Sequence, residues 1–467
     1  VRELTVVLDI GKSFAKLSLL SQNGEILGKN ARPNASVTST QGYPCLDVEG
    51  LESWLSETLS EFARKGRICR IMPVAHGASA CLVQEDGTWL APLDYEAALP
   101  APLAEAYAKE RDAFHLTGSP ALPCGLNLGA QIFWMEQLAG EAFAKSTIVT
   151  WPQFWAWRLC GVAATETTSL GCHTDLWQPG TNIPSPMAQR RGWDKRLAPL
   201  YAAGDVLGTV TPEWQQRCGL PADCKVYCGL HDSNAALIAM RGFPEVKGRE
   251  HTVLSTGTWF IAMHATLGKR ALDLAALPEA RDCLVNVDAF GAPVPSARFM
   301  GGRETEILEA APVEQLDAGA NGAALLDAAR EVIAEGVFAL PTFQTGVGPF
   351  GQSEGRWMRR PEEQLKRRAA ISLYLALVTD TMLGLIGSTG PIVAEGRFAG
   401  DVVFMSTLAK LRPSQPIYAA PTSASVQYGA LRLMFPELAP SETLAQTAAN
   451  DLPIEDYAAS WREMANQ

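Results

Sequence analysis

No two of the ten cysteines form a C-x-x-C pair, and the nearest two are Cys224 and Cys228. That spacing predicts buried thiols in a reducing compartment, not a disulfide framework. Zinc would need clustered Cys and His, and the six histidines stand apart. Basic charge is also in deficit: 39 Lys and Arg face 50 Asp and Glu, a net charge of −11. A general nucleic-acid binder needs a basic face, so no nucleic-acid partner is expected. A small anionic ligand held by a few local donors is still compatible with this balance. Long apolar runs are missing too. The most apolar stretch, residues 369–387, is interrupted by Thr379, Asp380 and Thr381. It predicts a buried helix and no membrane partner. The opening VRELTVVLDIG lacks an apolar core followed by a small-residue cleavage site, so no signal peptide is expected and the expected location is cytoplasmic. The P-loop pattern G-x-x-x-x-G-K-[ST] and low-complexity segments are likewise absent.

What is present is a soluble composition, 47% hydrophobic and 19% charged over 467 residues, enough for two domains. Residues 4–8 form a Val-rich apolar run and predict a buried strand; residues 9–13 predict a tight turn, and residues 16–20 alternate as a second strand. A similar unit recurs later: strand 252–254, polar glycine turn 255–258, strand 259–263. Two such hairpins suggest a duplicated architecture around a central cleft. Between them, residues 69–75 read as a strand, 82–92 as a hairpin, and 128–138, 151–159 and 232–240 as helices. The Trp-rich helix at 151–159 reads as packing. Gly242, Pro244 and Gly248 mark a boundary within 241–250. Beyond it come helix 368–386, strand 391–395 and a helix near 426–433.

Four places carry residue types suited to chemistry. At 9–13, Gly11 lets the backbone turn closely and present N–H groups to a phosphate. Ser13 adds a hydroxyl, Lys12 and Lys16 add positive charge, and Asp9 could hold Mg²⁺ directly or through water. The plain alternative is an ordinary hairpin turn. At 255–258, Ser255, Thr256, Gly257 and Thr258 suit phosphate oxygens in the same way, and small polar residues also make common turns. In GLHDSNAA, Asp232 opens a small-residue helix. It reads as a helix cap or as a general base taking a proton from an attacking hydroxyl. His231 beside it reads equally as a substrate contact or a structural histidine. At 394–398, Gly396 and Arg397 could approach a nucleotide, or form a plain strand-to-helix loop with an exposed Arg.

In this order the motifs resemble the FGGY carbohydrate kinases, and within them the rhamnulokinase and L-fuculokinase branch. LDIGKSFAKLSLL is similar to the family's first phosphate loop, GLHDSNAAL to its catalytic-Asp motif, and STGTWFIAM to its second phosphate loop. IVAEGRFAGDVVF followed by SASVQYGAL is similar to its adenosine region and closing helix. The resemblance spans nearly the whole chain. It implies an α/β fold with two ribonuclease-H-like (actin-like ATPase) domains flanking a catalytic cleft, residues 1–242 on the sugar and phosphate side and 250–467 on the nucleotide side. It implies ATP and Mg²⁺, and phosphoryl transfer to a primary hydroxyl of a ketose or related sugar. Asp232 takes the place of the base and Asp9 that of the metal-side carboxylate, with Asp232 alongside it. His76 and Gly77 fall at the family's sugar-recognition segment, with Asp94, Asn127, Gln131, His173 and His231 as further substrate candidates. The partners implied are a small sugar and ATP, and a homodimer is compatible with them. The chain departs from the family pattern at Lys12, where Thr or Ser is usual. It departs again at Glu395-Gly396-Arg397, where a run of glycines is usual, and its sugar segment lacks the usual Trp or Met. Two other readings fit the same residues: a non-catalytic sugar-binding protein on this fold, and another actin-like ATPase.

Overall fold

A computed structural model describes residues 2–268, 272–310 and 321–466. Two seven-stranded sheets organise it, one in each half. In the first half, β1 (Glu3–Ile10) is central. Its LTVVLDI run is apolar without alternation because neighbouring layers cover both faces, and every residue after Glu3 is buried. β2 (Phe14–Ser21) and β3 (Ile26–Pro33) follow antiparallel on one side. β4 (Arg67–Ala75) lies parallel to β1 on the other side. β5 (Val206–Thr209) and β6 (Lys225–Tyr227) extend that side, and the short β7 (Leu230–His231) pairs with the last residues of β4.

The second half repeats this plan. β8 (His251–Thr256) is central, and β9 (Phe260–Ala265) returns antiparallel from it. β10 (Cys283–Val287) and β11 (Pro293–Phe299) continue outward in the order β10-β11-β9-β8. On the opposite side lie the parallel β12 (Ile392–Gly396) and β13 (Ile417–Ala419), with β14 (Ala445–Thr447) at the edge. In both halves a strand–turn–strand hairpin sits beside parallel strands reached by long crossovers. The two glycine-turn hairpins of the sequence are therefore the first two strands of two copies of one fold, each ribonuclease-H-like.

Helices cover both sheets. α1 (Val48–Ala63) begins at an Asp47 cap and buries Leu51, Leu55, Leu59 and Phe62, the spacing of one helical face. α2 (Leu128–Ala139) and α3 (Trp151–Cys160) hydrogen-bond to residues 78 and 79 through Gln131 and the Trp151 N–H. Within α3, Trp151, Phe154 and Trp155 are fully buried, and Trp151 stacks on Phe154 with ring centroids 5.6 Å apart. α4 (Asp232–Met240) follows β7, and α5 (Gly301–Glu309) follows β11. The 22-residue α6 (Gln364–Leu385) is long and apolar enough to cross a membrane, but it is largely buried inside the second half. α7 (Val402–Leu411) and α8 (Val426–Met434) complete the set.

α4 and α8 hold the halves together. α4 is built of small residues and is buried nearly all round. α8 presses against it so closely that a Cβ on Gly429 would lie 1.9 Å from the Ala235 carbonyl oxygen. Ala430 and Leu431 of α8 also join Val7 and Met72 of the first sheet in one apolar cluster.

Candidate active site

The cleft is floored by the carboxyl ends of the central parallel strands. Asp9 pairs in register with Val74, and His231 with Ala75, so β1, β4 and β7 end at one level. This brings Asp9 and Asp232 to the same floor. Gly229 makes the bend before β7: its φ is +80°, and a Cβ there would lie 2.0 Å from the Pro73 carbonyl oxygen. Gln153 of α3 donates to the carbonyls of Cys228 and Gly229 at 3.2 and 3.0 Å. Thr168 accepts the His231 N–H at 3.0 Å and is itself gripped by the buried Glu166 carboxylate. The 228–231 segment that leads into Asp232 is thus held from two sides.

Asp232 is not the cap of α4; His231 occupies that position and Asp232 is the first helical residue. Its carboxylate accepts from the Ser233 N–H at 2.6 Å and lies 3.2 Å from His231 Nε2, with its side chain 30% exposed to the cleft. Burial raises it to about 6, against the pull of the Ser233 hydrogen bonds and Lys16. Asp9 is raised to about 7, by burial and then by the Asp232 charge, again opposed by Lys16. Lys16 faces Asp9 across the β1–β2 register. These two carboxylates are hard oxygen ligands suited to Mg²⁺, which takes a few carboxylates and completes its shell with phosphate and water. Among the described residues no group of three Asp, Glu, His or Cys side chains could hold a metal alone.

The first loop is fixed by a tight turn, Gly11 N–H to Phe14 O at 3.0 Å, and by Asn34, which donates its backbone N–H to Ser13 O and its side-chain amide to Gly11 O, both at 2.8 Å. Ser13 and Lys16 are exposed. Lys12, also expected at phosphate, reaches the 94–96 segment. Its ammonium is bound by Asp94, lies 3.3 Å from Glu96, and sits 4.8 Å over the Tyr95 ring. Burial alone would raise Asp94, but Lys12 and the Glu96 N–H hold it below the usual carboxylate value. The reason is geometric: Leu93–Asp94 folds back beside the 76–80 segment and places a buried carboxylate within reach of Lys12.

His76 is buried, edge-on to Tyr95 at 5.2 Å and near Trp151 at 6.3 Å. Gly77 is a site of close approach, because a Cβ there would lie 2.9 Å from Cys172 and from His231. Burial, with neighbouring positive groups, lowers His76 and His173 to about 3, and burial lowers His231 to about 4. All three are neutral at pH 7. Arg298 of β11, paired with Asp282 at 2.9 Å and stacked on Trp259, reaches the His173 side electrostatically from the second half.

Two of the expected substrate residues make hydrogen bonds within the protein. Asn127 donates to Ser119 Oγ, Pro120 O and His173 O, and its Oδ1 accepts from Leu122 N–H at 2.8 Å. Its hydrogen-bonding capacity is spent clamping the 119–122 loop. Gln131 is fully buried and donates to Ala78 O and Gly125 O, while its Oε1 has no hydrogen-bond partner among the described residues.

On the opposite side, Ser255 and Thr256 end β8 beside Glu395 and Gly396 of β12. Their hydroxyls are used between the loops. Ser255 donates to Glu395 Oε1 at 2.5 Å; Thr256 donates to Glu395 O at 2.6 Å and accepts from Phe398 N–H at 3.1 Å. Of the four residues expected at phosphate here, Gly257 and Thr258 are the exposed ones. Gly396 has φ +86°, and a Cβ would lie 2.5 Å from Thr256 O. Arg397, next in the chain, is partly exposed at the start of the following turn. Glu395 is raised by burial and by the Asp232 charge, which places it within electrostatic reach of the cleft floor. Sequence reasoning did not single out Glu395, Tyr95, Gln153, Thr168 or Arg298 as site residues. The only sequence signal was Glu395 itself, standing where the resembling family has glycine.

Two ribonuclease-H-like domains around a cleft floored by paired carboxylates define the actin-like ATPase class. Within it, the family profile described as Carbohydrate kinase FGGY, C-terminal domain, matches residues 248–443. The crystal structure of a carbohydrate kinase from Novosphingobium aromaticivorans is 46% identical, with TM-score 0.93 over 98% of this chain and 100% of that one. This chain belongs to the FGGY carbohydrate kinase family. An L-fuculokinase of Escherichia coli (strain K12) is 23% identical over 274 residues, which is 56% of this chain and 56% of that enzyme. A xylulose kinase from Lactobacillus acidophilus, 15% identical with TM-score 0.77 over 99% of this chain and 96% of its own, shares the fold.

Proposed function

We propose that this chain is an ATP-dependent carbohydrate kinase that transfers the γ-phosphoryl group to a primary hydroxyl of a ketose or related sugar, with Asp232 as general base. The observation that carries this is the partly exposed Asp232 carboxylate on the cleft floor, raised to about 6 and held by its neighbours instead of being consumed as a helix cap. A base poised just below neutral pH is ionised yet can still take a proton. As the sugar oxygen bonds to the γ-phosphorus, its proton passes to Asp232, and the bond to the bridging oxygen breaks to leave ADP. Asp9 would hold Mg²⁺ with the phosphate oxygens, supplying charge neutralisation there. Gly11, Ser13 and Lys16, together with Gly257 and Thr258, would form the phosphate grip. His76, Asp94, His173 and His231 form the sugar side. The ten unpaired thiols suit a reducing compartment, so the proposed location is the cytoplasm.

Asp232→Asn is expected to lower kcat by about 10²–10⁴-fold with sugar and nucleotide affinity largely kept. The check is a coupled ADP assay over ketoses and polyols, with calorimetric binding alongside. Near-normal turnover by the variant would sink the base assignment. One observation favours a second reading: Glu395 places a carboxylate on the nucleotide side. A non-catalytic sugar-binding role would follow if sugar binds while no nucleotide does.

A further inference from the structure

Beside the catalytic floor lies a cavity of about 40 Å³, lined by Lys12, Asn34, Leu51, His76, Asp94 and Trp151 among others. Three of these residues carry buried polar atoms with no hydrogen-bond partner among the described residues: Asn34 Oδ1, His76 Nδ1 and Trp151 Nε1. Trp151 is fully buried and His76 is 9% exposed. Buried polar atoms are normally paired, so three orphans around one cavity point to a polar occupant. The cavity adjoins that floor: Ile10 of its lining follows Asp9 and pairs with Ala75, with which His231 also pairs.

We propose that this cavity is the far-end subsite of the sugar pocket, and that it takes the hydroxyl-bearing end of a neutral sugar. The inference rests on the sugar-kinase reading above. A water-sized group needs roughly 10–15 Å³ of such space, so the cavity of about 40 Å³ admits about three or four groups, the size of a –CHOH–CH2OH end. A hydroxyl there can accept from Trp151 Nε1–H and donate to Asn34 Oδ1, and neutral His76 supplies a donor or an acceptor according to tautomer. Leu46 and Leu51 give the C–H face an apolar wall. The methyl end of a 6-deoxy sugar would fill the space and leave all three polar atoms unpaired. A sugar acid would bring its carboxylate beside buried Asp94, where Lys12 is already paired; Arg298 is likewise paired with Asp282.

The test uses the full chain with ATP and three sets of acceptors: pentuloses and hexuloses of both hands, the matching 6-deoxyhexuloses, and aldonic acids of the same length. The best hydroxyl-ended ketose is expected to exceed its deoxy counterpart in kcat/KM by about 100-fold or more, with the acids inert. An equal or better deoxy sugar, or a preferred acid, overturns the subsite and leaves the kinase reading standing. Turnover of no acceptor sinks the kinase reading and this inference with it. Lys12→Met is expected to raise the KM for sugar about tenfold or more with the KM for ATP unchanged. A raised KM for ATP with an unaltered KM for sugar would return Lys12 to the phosphate and overturn its place here. If that variant does not fold, the acceptor panel on the unaltered chain decides.

Discussion

At the residue scale, the chemistry turns on carboxylates held above their ordinary range. Asp232 and Asp9 share one floor and each resists ionisation, at about 6 and about 7. A general base works only when deprotonated, so kcat/KM for sugar should rise with pH through an acid limb between about pH 6 and 7. Because the two groups interact, that limb belongs to the pair. Lys16 lowers both. Removing it as Lys16→Met takes away a charge that favours the ionised forms, so the limb should move to higher pH. The shift should be about a unit at most, since Lys16 is exposed and screened. A pH–rate profile of both proteins reads this directly. A limb that stays in place or moves down would mean that Lys16 does not act on the pair. The neutral histidines belong to the same scale. With His76, His173 and His231 lowered to about 3–4, none changes charge across that limb.

At the element scale, glycine placement decides how closely elements approach. Gly229 turns the chain over the Pro73 carbonyl so that β7 can deliver His231 and Asp232 to the cleft. Gly429 does the same between helices. An Ala in a helix is ordinarily preferred over Gly by about 1 kcal/mol. At Gly429 the added Cβ would lie 1.9 Å from Ala235 O, so α8 would have to move off α4. Gly429→Ala is therefore expected to destabilise by about 1–3 kcal/mol despite its better propensity. Thermal or urea unfolding measures this, and a midpoint at or above that of the unaltered chain would contradict the packing argument. Part of this scale could be read along the chain. The strand runs at 4–8 and 252–254, the Trp-rich helix and the small-residue helix α4 follow from periodicity and composition. That Asn127 also reaches His173 O and Gln131 reaches Ala78 O could not be read, because those partners lie 46 and 53 positions away.

At the scale of the whole molecule, the two halves meet beyond the α4–α8 contact as well. Val285 of β10 donates its N–H to Gly118 O at 2.8 Å, Asn182 donates to Gly291 O at 2.7 Å, and Arg241 pairs with Asp288 at 2.6 Å. Gly118 has φ +61°, and a Cβ there would lie 2.6 Å from Val285 Cβ. Gly118→Val should force this contact apart and admit water to the cleft, where it competes with the sugar as acceptor. The expected outcome is a severalfold rise in ADP formed per sugar phosphate, together with a lower unfolding temperature from a stability loss of about 1–3 kcal/mol, typical of overpacking. An unchanged ratio would show that this contact does not govern water exclusion.

The sequence by itself determined the paired hairpins, the α/β class and the order of the motif segments, because these rest on local signals: apolar runs, glycine turns and hydroxyl-rich loops. It also placed Asp9 and Asp232 as the residues to watch, through the family resemblance. Tertiary structure decided who faces whom. It turned Lys12 to Asp94, used the Ser255 and Thr256 hydroxyls to join two loops, and brought Glu395 within electrostatic reach of the cleft floor. It also gathered Asn34, His76 and Trp151 around one cavity. These pairings join residues tens to well over a hundred positions apart. Burial and charge neighbours set both partner and protonation state, and neither is encoded in local spacing.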